Sequence, residues 1–126
     1  MNKTFLRIAA ILGAVSVIGG AFGAHALKQL LSPEKLTVFE TAIRYQFYHV
    51  FALVAVGILF KEYPSALLKW AGRLFIAGII LFCGSLYILV ALPDNFKWLG
   101  AITPFGGAAF IAGWCAMLMA LRNGRG

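Results

Sequence analysis

The side chains best suited to chemistry lie in one run of this sequence, Arg44-Tyr45-Gln46-Phe47-Tyr48-His49, within an otherwise apolar stretch. A guanidinium can bind an anionic group, and an imidazole can exchange a proton or bind a metal. Inside a membrane these side chains are costly, at about 2.5–3.5 kcal/mol for an arginine at mid-span, so each needs a partner. The full set of candidate binding residues is His25, Arg44, Tyr45, Gln46, Tyr48, His49, Ser85, Tyr87 and Thr103.

The elements that position these residues are predicted from composition. The 126 residues are 62% hydrophobic and 12% charged, whereas soluble proteins average roughly 25% charged residues. Four apolar segments approach or exceed the ~20 residues that cross a bilayer, at about 8–27, 41–60, 74–92 and 99–121. The sequence therefore predicts one all-α integral membrane domain, a four-span helical bundle over residues 1–126. The first apolar run is longer than the core of a typical signal peptide, so we expect it to stay in place as a span.

The net charge of +7 does not indicate nucleic-acid binding, because the basic residues flank apolar spans and form no stripe with interleaved aromatics. Their distribution instead predicts orientation, because basic residues accumulate on the cytoplasmic side. One side carries Lys3, Arg7, Lys61, Lys69, Arg73, Arg122 and Arg125, and the other carries Lys28, Lys35, Lys97 and the membrane-embedded Arg44. We therefore expect both termini to be cytoplasmic.

Small residues predict close helix packing. Span one has Ala9, Gly13, Ser16, Gly20 and Gly23 at steps of three and four, and span four has Gly106, Ala109, Gly113, Ala116 and Ala120. Such faces let helices approach closely in lipid. Ser32-Pro33 is typical of a helix start. Thr103-Pro104 leaves two alternatives, a helix that begins there or a kink in one begun earlier.

With this topology, the polar residues gather in the half of the membrane away from the cytoplasm, and three interpretations are open. A structural clamp would bond His49 to Tyr87 or Ser85, Gln46 to a neighbouring backbone, and Arg44 to Glu40 or a lipid phosphate. A binding site would place Arg44 or His25 against an anionic head group. A metal or haem site on His25 and His49 would lack supporting carboxylates or thiolates, and we expect no metal, cofactor or disulfide.

Four blocks in this chain resemble a family of small bacterial membrane proteins known as domain of unknown function 423, to which animal transmembrane protein 256 is similar. They are 20–27 (GAFGAHAL), 45–49 (YQFYH), 84–87 (GSLY) and 102–107 (ITPFGG). The resemblance implies a four-span protein of the bacterial cytoplasmic (inner) membrane. It implies no activity.

Two classes of function remain. The first is a non-catalytic bundle that associates with itself, to an order the sequence does not give, or supports a membrane complex. The second is a protein that binds, or helps to transport, a lipid or small molecule through the polar residues. We expect no catalysis, since the sequence offers no activated nucleophile, carboxylate dyad or phosphate loop. Membrane lipids, further copies of the chain or another membrane protein are the expected partners.

Overall fold

The computed structural model describes residues 1–123 and is all-α. Four long helices follow one another along the chain: α1 (Lys3–Leu27), α2 (Pro33–Leu59), α3 (Ala66–Ala91) and α4 (Thr103–Asn123). A short 3-10 helix, Asp94–Ala101, precedes α4. Each long helix lies in a segment long and apolar enough to cross a membrane, which confirms the predicted four-span architecture.

Polar caps explain why the helices begin before the apolar spans do. The side chain of Asn2 accepts from the Phe5 N–H, that of Ser32 from Lys35, and that of Ser65 from Leu68. These bonds satisfy donors that the first turn of a helix leaves free. The predicted start of α2 at Ser32-Pro33 is confirmed. An α-helix begins at Thr103 after the 3-10 segment, so a helix that starts there fits the structure. The Thr103 hydroxyl bonds to Ser85 in the neighbouring helix.

The helices pack mainly on their neighbours in the chain. Helix α1 lies on α2, α2 contacts α3 along the whole of α3, and α3 packs most extensively on α4. Within the small-residue face of α1, Gly13 lies against Val50 and Gly20 against Ile43, since a Cβ on either would meet that side chain at 3.6 and 3.3 Å. The small faces of α1 and α4 therefore contact different neighbours.

The first residues of the chain are tied to the end of α2. The Asn2 N–H donates to the Gly57 carbonyl at 2.9 Å. Phe5 is buried beside Gly72, where a Cβ would collide with its ring. The apolar core begins at this end with residues such as Leu53, Leu68 and Phe75 and continues along the bundle to Ala42 and Cys83.

Two helices contain a π-helical turn, at Ile18–Gly23 in α1 and Ile79–Cys83 in α3. Such a turn widens the helix by about one residue and changes the face on which later residues lie. Both turns lie in the half of the bundle that holds the polar side chains, so they help to set which of those side chains face inward.

Candidate functional site

A buried chain of hydrogen bonds joins α1, α2 and α3 through Gln46, whose side chain is 2% exposed. Gln46 Nε2 donates to Ser16 Oγ at 2.7 Å and to the Leu12 carbonyl at 3.4 Å. The Tyr87 hydroxyl donates to Gln46 Oε1 at 2.7 Å. Ser16 Oγ in turn donates to the Leu12 carbonyl at 2.7 Å. Both ends of the amide are thus satisfied, and three helices are connected at one point.

His49 lies one turn further along α2, where both of its ring nitrogens have partners. Its Nδ1 is 2.7 Å from the Tyr45 carbonyl, and Trp114 Nε1 lies 3.1 Å from its Nε2. An indole N–H can only donate, so Nε2 must accept, and the proton of the neutral ring belongs on Nδ1. These two bonds orient the imidazole between α2 and α4.

Aromatic rings surround His49 and leave a groove beside it. The imidazole stacks on Phe110 with ring centroids 3.6 Å apart and planes inclined by 10°. Tyr45 lies against Phe82 at 4.7 Å. The groove has a volume of about 390 Å³ and opens toward the lipid-facing surface, where Trp114 is 47% exposed. It is lined by Tyr45, His49, Phe82, Gly107, Phe110, Ile111 and Trp114. We call it the aromatic groove.

Two adjacent glycines in α4 differ in what they do for this region. A Cβ on Gly106 would collide with the backbone of Phe82, so α3 and α4 can approach closely only because Gly106 has no side chain. A Cβ on Gly107 would meet only Phe82 Cδ2, at 4.0 Å. Packing therefore does not require Gly107, although a helix-interior glycine costs about 0.5–1 kcal/mol relative to alanine. Its missing side chain keeps the aromatic groove open.

A separate hydroxyl pair links α3 to the start of α4. Ser85 Oγ and Thr103 Oγ1 are 2.6 Å apart, and Ser85 also donates to the Phe82 carbonyl at 2.9 Å. Thr103 thus bonds to the neighbouring helix, and the link fixes where α4 begins relative to α3.

The remaining candidate residues point away from these bonds. Arg44, Tyr48 and His25 are exposed, with Tyr48 54% accessible. Arg44 lines a small groove together with Glu40, as their spacing of four predicts. Over residues 1–123, however, the structure contains no ion pair between these two side chains. The candidate residues therefore form an inner set (Gln46, Tyr87, Ser85, Thr103), an aromatic groove (Tyr45, His49) and an outer set (Arg44, Tyr48, His25).

The predicted clamp bond of His49 is wrong, and that of Gln46 is confirmed. His49 bonds to neither Tyr87 nor Ser85, because Gln46 takes the Tyr87 hydroxyl and Thr103 takes Ser85. The predicted bond from Gln46 to a neighbouring backbone is present, at the Leu12 carbonyl. Every buried side-chain nitrogen and oxygen in the described part of the chain has a partner. Among the same residues, no group of three or more His, Cys, Asp or Glu side chains could hold a metal ion.

Two participants were missed from the sequence, Ser16 and Trp114. Ser16 belongs to the small-residue face of span one, but it also has the only side-chain hydroxyl between positions 8 and 27. Trp114 lies well inside span four, whereas Trp70 and Trp98 lie beside Lys69 and Lys97 at the ends of spans. A hydroxyl and an indole placed deep in a membrane both require partners, and that requirement was the available signal.

Comparison with known proteins agrees with this architecture. The family described as "Protein of unknown function (DUF423)" matches residues 19–107. The chain belongs to this family. It is 45% identical over 118 residues to a UPF0382 membrane protein of Staphylococcus aureus (strain bovine RF122 / ET3-1), covering 94% of each chain. It is 42% identical over 117 residues to a UPF0382 membrane protein of Staphylococcus haemolyticus, covering 93% of each.

The relatives are named as membrane proteins, and the family description names no activity. No solved structure matches the chain. The family resemblance expected from the four sequence blocks is therefore confirmed, and the protein is a multi-pass helical membrane protein of this family.

Proposed function

We propose that this protein is a non-catalytic module of the bacterial cytoplasmic membrane that associates with further copies of itself. Its termini face the cytoplasm in this proposal, which the distribution of Lys and Arg supports. The polar side chains serve to hold the bundle together. Their mutual hydrogen bonds support a structural role over a catalytic one, since a catalytic group must be free to reach a substrate.

The observation that carries the proposal is a second face of small residues on α1. Ala10 and Ala14 are exposed and lie four residues apart, so they share one face of α1. The glycine face of the same helix is already packed on α2. Helix α1 is also the least buried of the four spans within the chain. Helices in lipid associate through small residues that allow close backbone approach, and this face is suited to a second copy.

Cysteine crosslinking in native membranes tests the proposal. Ala14→Cys is placed in a Cys83→Ala/Cys115→Ala background, because both natural cysteines carry free thiols. We expect oxidation to give a covalent dimer of the chain. Ala14→Leu should reduce the oligomer seen by native mass spectrometry, whereas Ala108→Leu, at an exposed alanine on α4, should not. If the protein stays monomeric and forms no crosslink through the introduced thiol, self-association is contradicted. A crosslink to a different membrane protein would mean that this face of α1 binds that protein and not a second copy.

Lipid binding is a second candidate function, favoured by the position of Arg44. Its guanidinium is exposed in the outer half of α2, where the available anionic partner is a lipid phosphate. Gln46 and Tyr87 bond to each other, so they are not part of this candidate lipid-binding site. Arg44→Gln should lower the amount of phospholipid retained after mild detergent extraction, and Tyr48→Phe, one turn along, should not. If both variants retain the same amount of phospholipid, Arg44 does not bind lipid and this candidate function is contradicted.

A further inference from the structure

A groove between α1 and α2 lies on the opposite side of α2 from the aromatic groove. It has a volume of about 180 Å³ and is lined by Gly20, Phe39, Glu40, Ile43 and Arg44. Gly20, in the π-helical turn, lines its α1 side, and the neighbouring glycines of that turn pack on the same α2 side chains. A Cβ on Gly19 would approach Ile43 Cδ1 to 2.6 Å, and one on Gly23 would approach Phe39 Cζ to 3.2 Å. The floor of the groove is therefore apolar and closely packed, with two charged side chains at its rim.

The two side chains at the rim, Glu40 and Arg44, carry opposite charges and lie next to each other but, among the residues that the structure describes, do not form an ion pair. Glu40 and Arg44 are both exposed and lie one turn apart, a rise of roughly 6 Å along α2. Side chains four apart on a helix can form an ion pair. Here, within the part of the chain that the structure covers, neither side chain forms an ion pair or hydrogen bond. Both remain available to a ligand that carries one charge of each sign.

The order of the charges along the membrane normal specifies that ligand. Helix α2 enters the membrane from Pro33, so Glu40 lies nearer the surface and Arg44 lies about one turn deeper. This order is the same whichever side of the membrane holds Pro33. In a phospholipid, the phosphate is attached to the glycerol, and an amine-bearing head group extends beyond it toward water. A lipid phosphate bound at Arg44 would therefore place the head-group ammonium beside Glu40.

We propose that this groove binds a zwitterionic phospholipid with a primary ammonium, of the phosphatidylethanolamine type. Arg44 binds the phosphate through charge-assisted hydrogen bonds, and Glu40 accepts from the ammonium N–H groups. One acyl chain lies along Gly20, Phe39 and Ile43. Glu40 repels a purely anionic head group, and a trimethylammonium group has no N–H to donate to it. The proposal rests on the lipid-binding candidate and assigns its lipid class.

Native mass spectrometry of the full chain tests the assignment. The protein is reconstituted in equal amounts of phosphatidylethanolamine, phosphatidylglycerol and phosphatidylcholine, and the retained lipids are counted. We expect phosphatidylethanolamine to be enriched. Glu40→Gln should reduce that enrichment about two- to fivefold, the size expected for one exposed ion pair. Arg44→Gln should reduce retention of all three lipids. Glu34→Gln, at an acid in the first turn of α2, is the matched control and should change nothing.

A charge exchange separates lipid binding from an ion pair within the helix. Glu40→Arg/Arg44→Glu keeps the net charge and the spacing but reverses the order along the membrane normal, so we expect it to abolish the enrichment. Wild-type enrichment in the exchanged variant would overturn the proposal. If wild-type protein retains the three lipids equally and Glu40→Gln has no effect, the head-group assignment is wrong but lipid binding stands. If it retains none, lipid binding itself fails.

Discussion

The two sides of α2 differ in how completely they enclose a buried polar side chain. Toward α1 and α3, Gln46 is enclosed, and its amide is satisfied by Ser16, Leu12 and Tyr87. Toward α4, three residues later, His49 is also buried, yet its partner Trp114 borders a groove that opens to the surface. One side encloses its polar group completely, and the other keeps a space of about 390 Å³.

The difference follows from which residues lie opposite. Across from Gln46 lie the hydroxyls of Ser16 and Tyr87, close enough for bonds of 2.7 Å. Across from His49 lie large rings and Gly107, which leave space beside them. The closed side therefore fixes the positions of helices, whereas the open side can accept change at its surface without disturbing them.

Gln46→Leu should have the largest effect on stability. It removes the bonds to Ser16 and Tyr87 together and leaves the Tyr87 hydroxyl without its acceptor. We expect the free energy of unfolding to fall by about 1–3 kcal/mol, the penalty for an unsatisfied buried group. Thermal unfolding in detergent measures it. The Tyr87→Phe single and double variants form a matched cycle, and strictly additive effects would contradict a shared bond.

His49→Leu should have a smaller effect, because the groove side is open. The Trp114 N–H loses its acceptor, but the indole is 47% exposed and can reorient. We expect a loss of about 1 kcal/mol, measured in the same way. Trp114→Phe removes the same bond and should not add fully to it. A loss larger than that of Gln46→Leu would reverse the comparison.

Ser85→Ala tests a polar link outside both sides of α2. It removes one hydrogen bond between α3 and α4 at Thr103. We expect a loss of about 0.6 kcal/mol, the average for such bonds between membrane helices. Thr103→Val should give the same loss, and the double variant should add little. Unequal losses would show that Thr103 stabilises the start of α4 by other contacts.

Gly107→Leu should leave stability within about 0.5 kcal/mol of wild type, as for surface substitutions generally. The new side chain fills the aromatic groove and shields Trp114. In a Trp70→Phe/Trp98→Phe background, we expect weaker quenching of Trp114 fluorescence by brominated lipid chains. Gly84→Leu is the control, since a Cβ there meets nothing within 4 Å and Gly84 lies outside this groove. Unchanged quenching would mean that the groove is not open to lipid.

Much of the fold could be predicted because it follows from local chemistry. The four spans follow from apolar length, the start of α2 from Ser32-Pro33, and the close approach of α1 from its glycines. The candidate residues were also found, because polar side chains are rare in these spans.

Their partners could not be predicted, because partners depend on the rotation and height of one helix against another. Whether Gln46 reaches Ser16 in addition to a backbone carbonyl depends on the register between α1 and α2. The π-helical turns change that register without a distinct sequence signal. The aromatic groove likewise depends on ring packing between α2 and α4, which no spacing within one helix encodes.

The bond between the Asn2 N–H and the Gly57 carbonyl bears on how the protein enters the membrane. Helix α1 reaches the translocon before α2. Its bonding partners in α2, the Gly57 carbonyl for Asn2 and the Gln46 amide for Ser16, are synthesised dozens of codons later. We therefore expect the first two helices to leave the translocon as a hairpin. In a nascent chain stalled before residue 57 has emerged, the bond between Asn2 and Gly57 cannot form. We expect the N-terminal residues of such a chain to be cleaved by a protease more readily than those of the full-length protein.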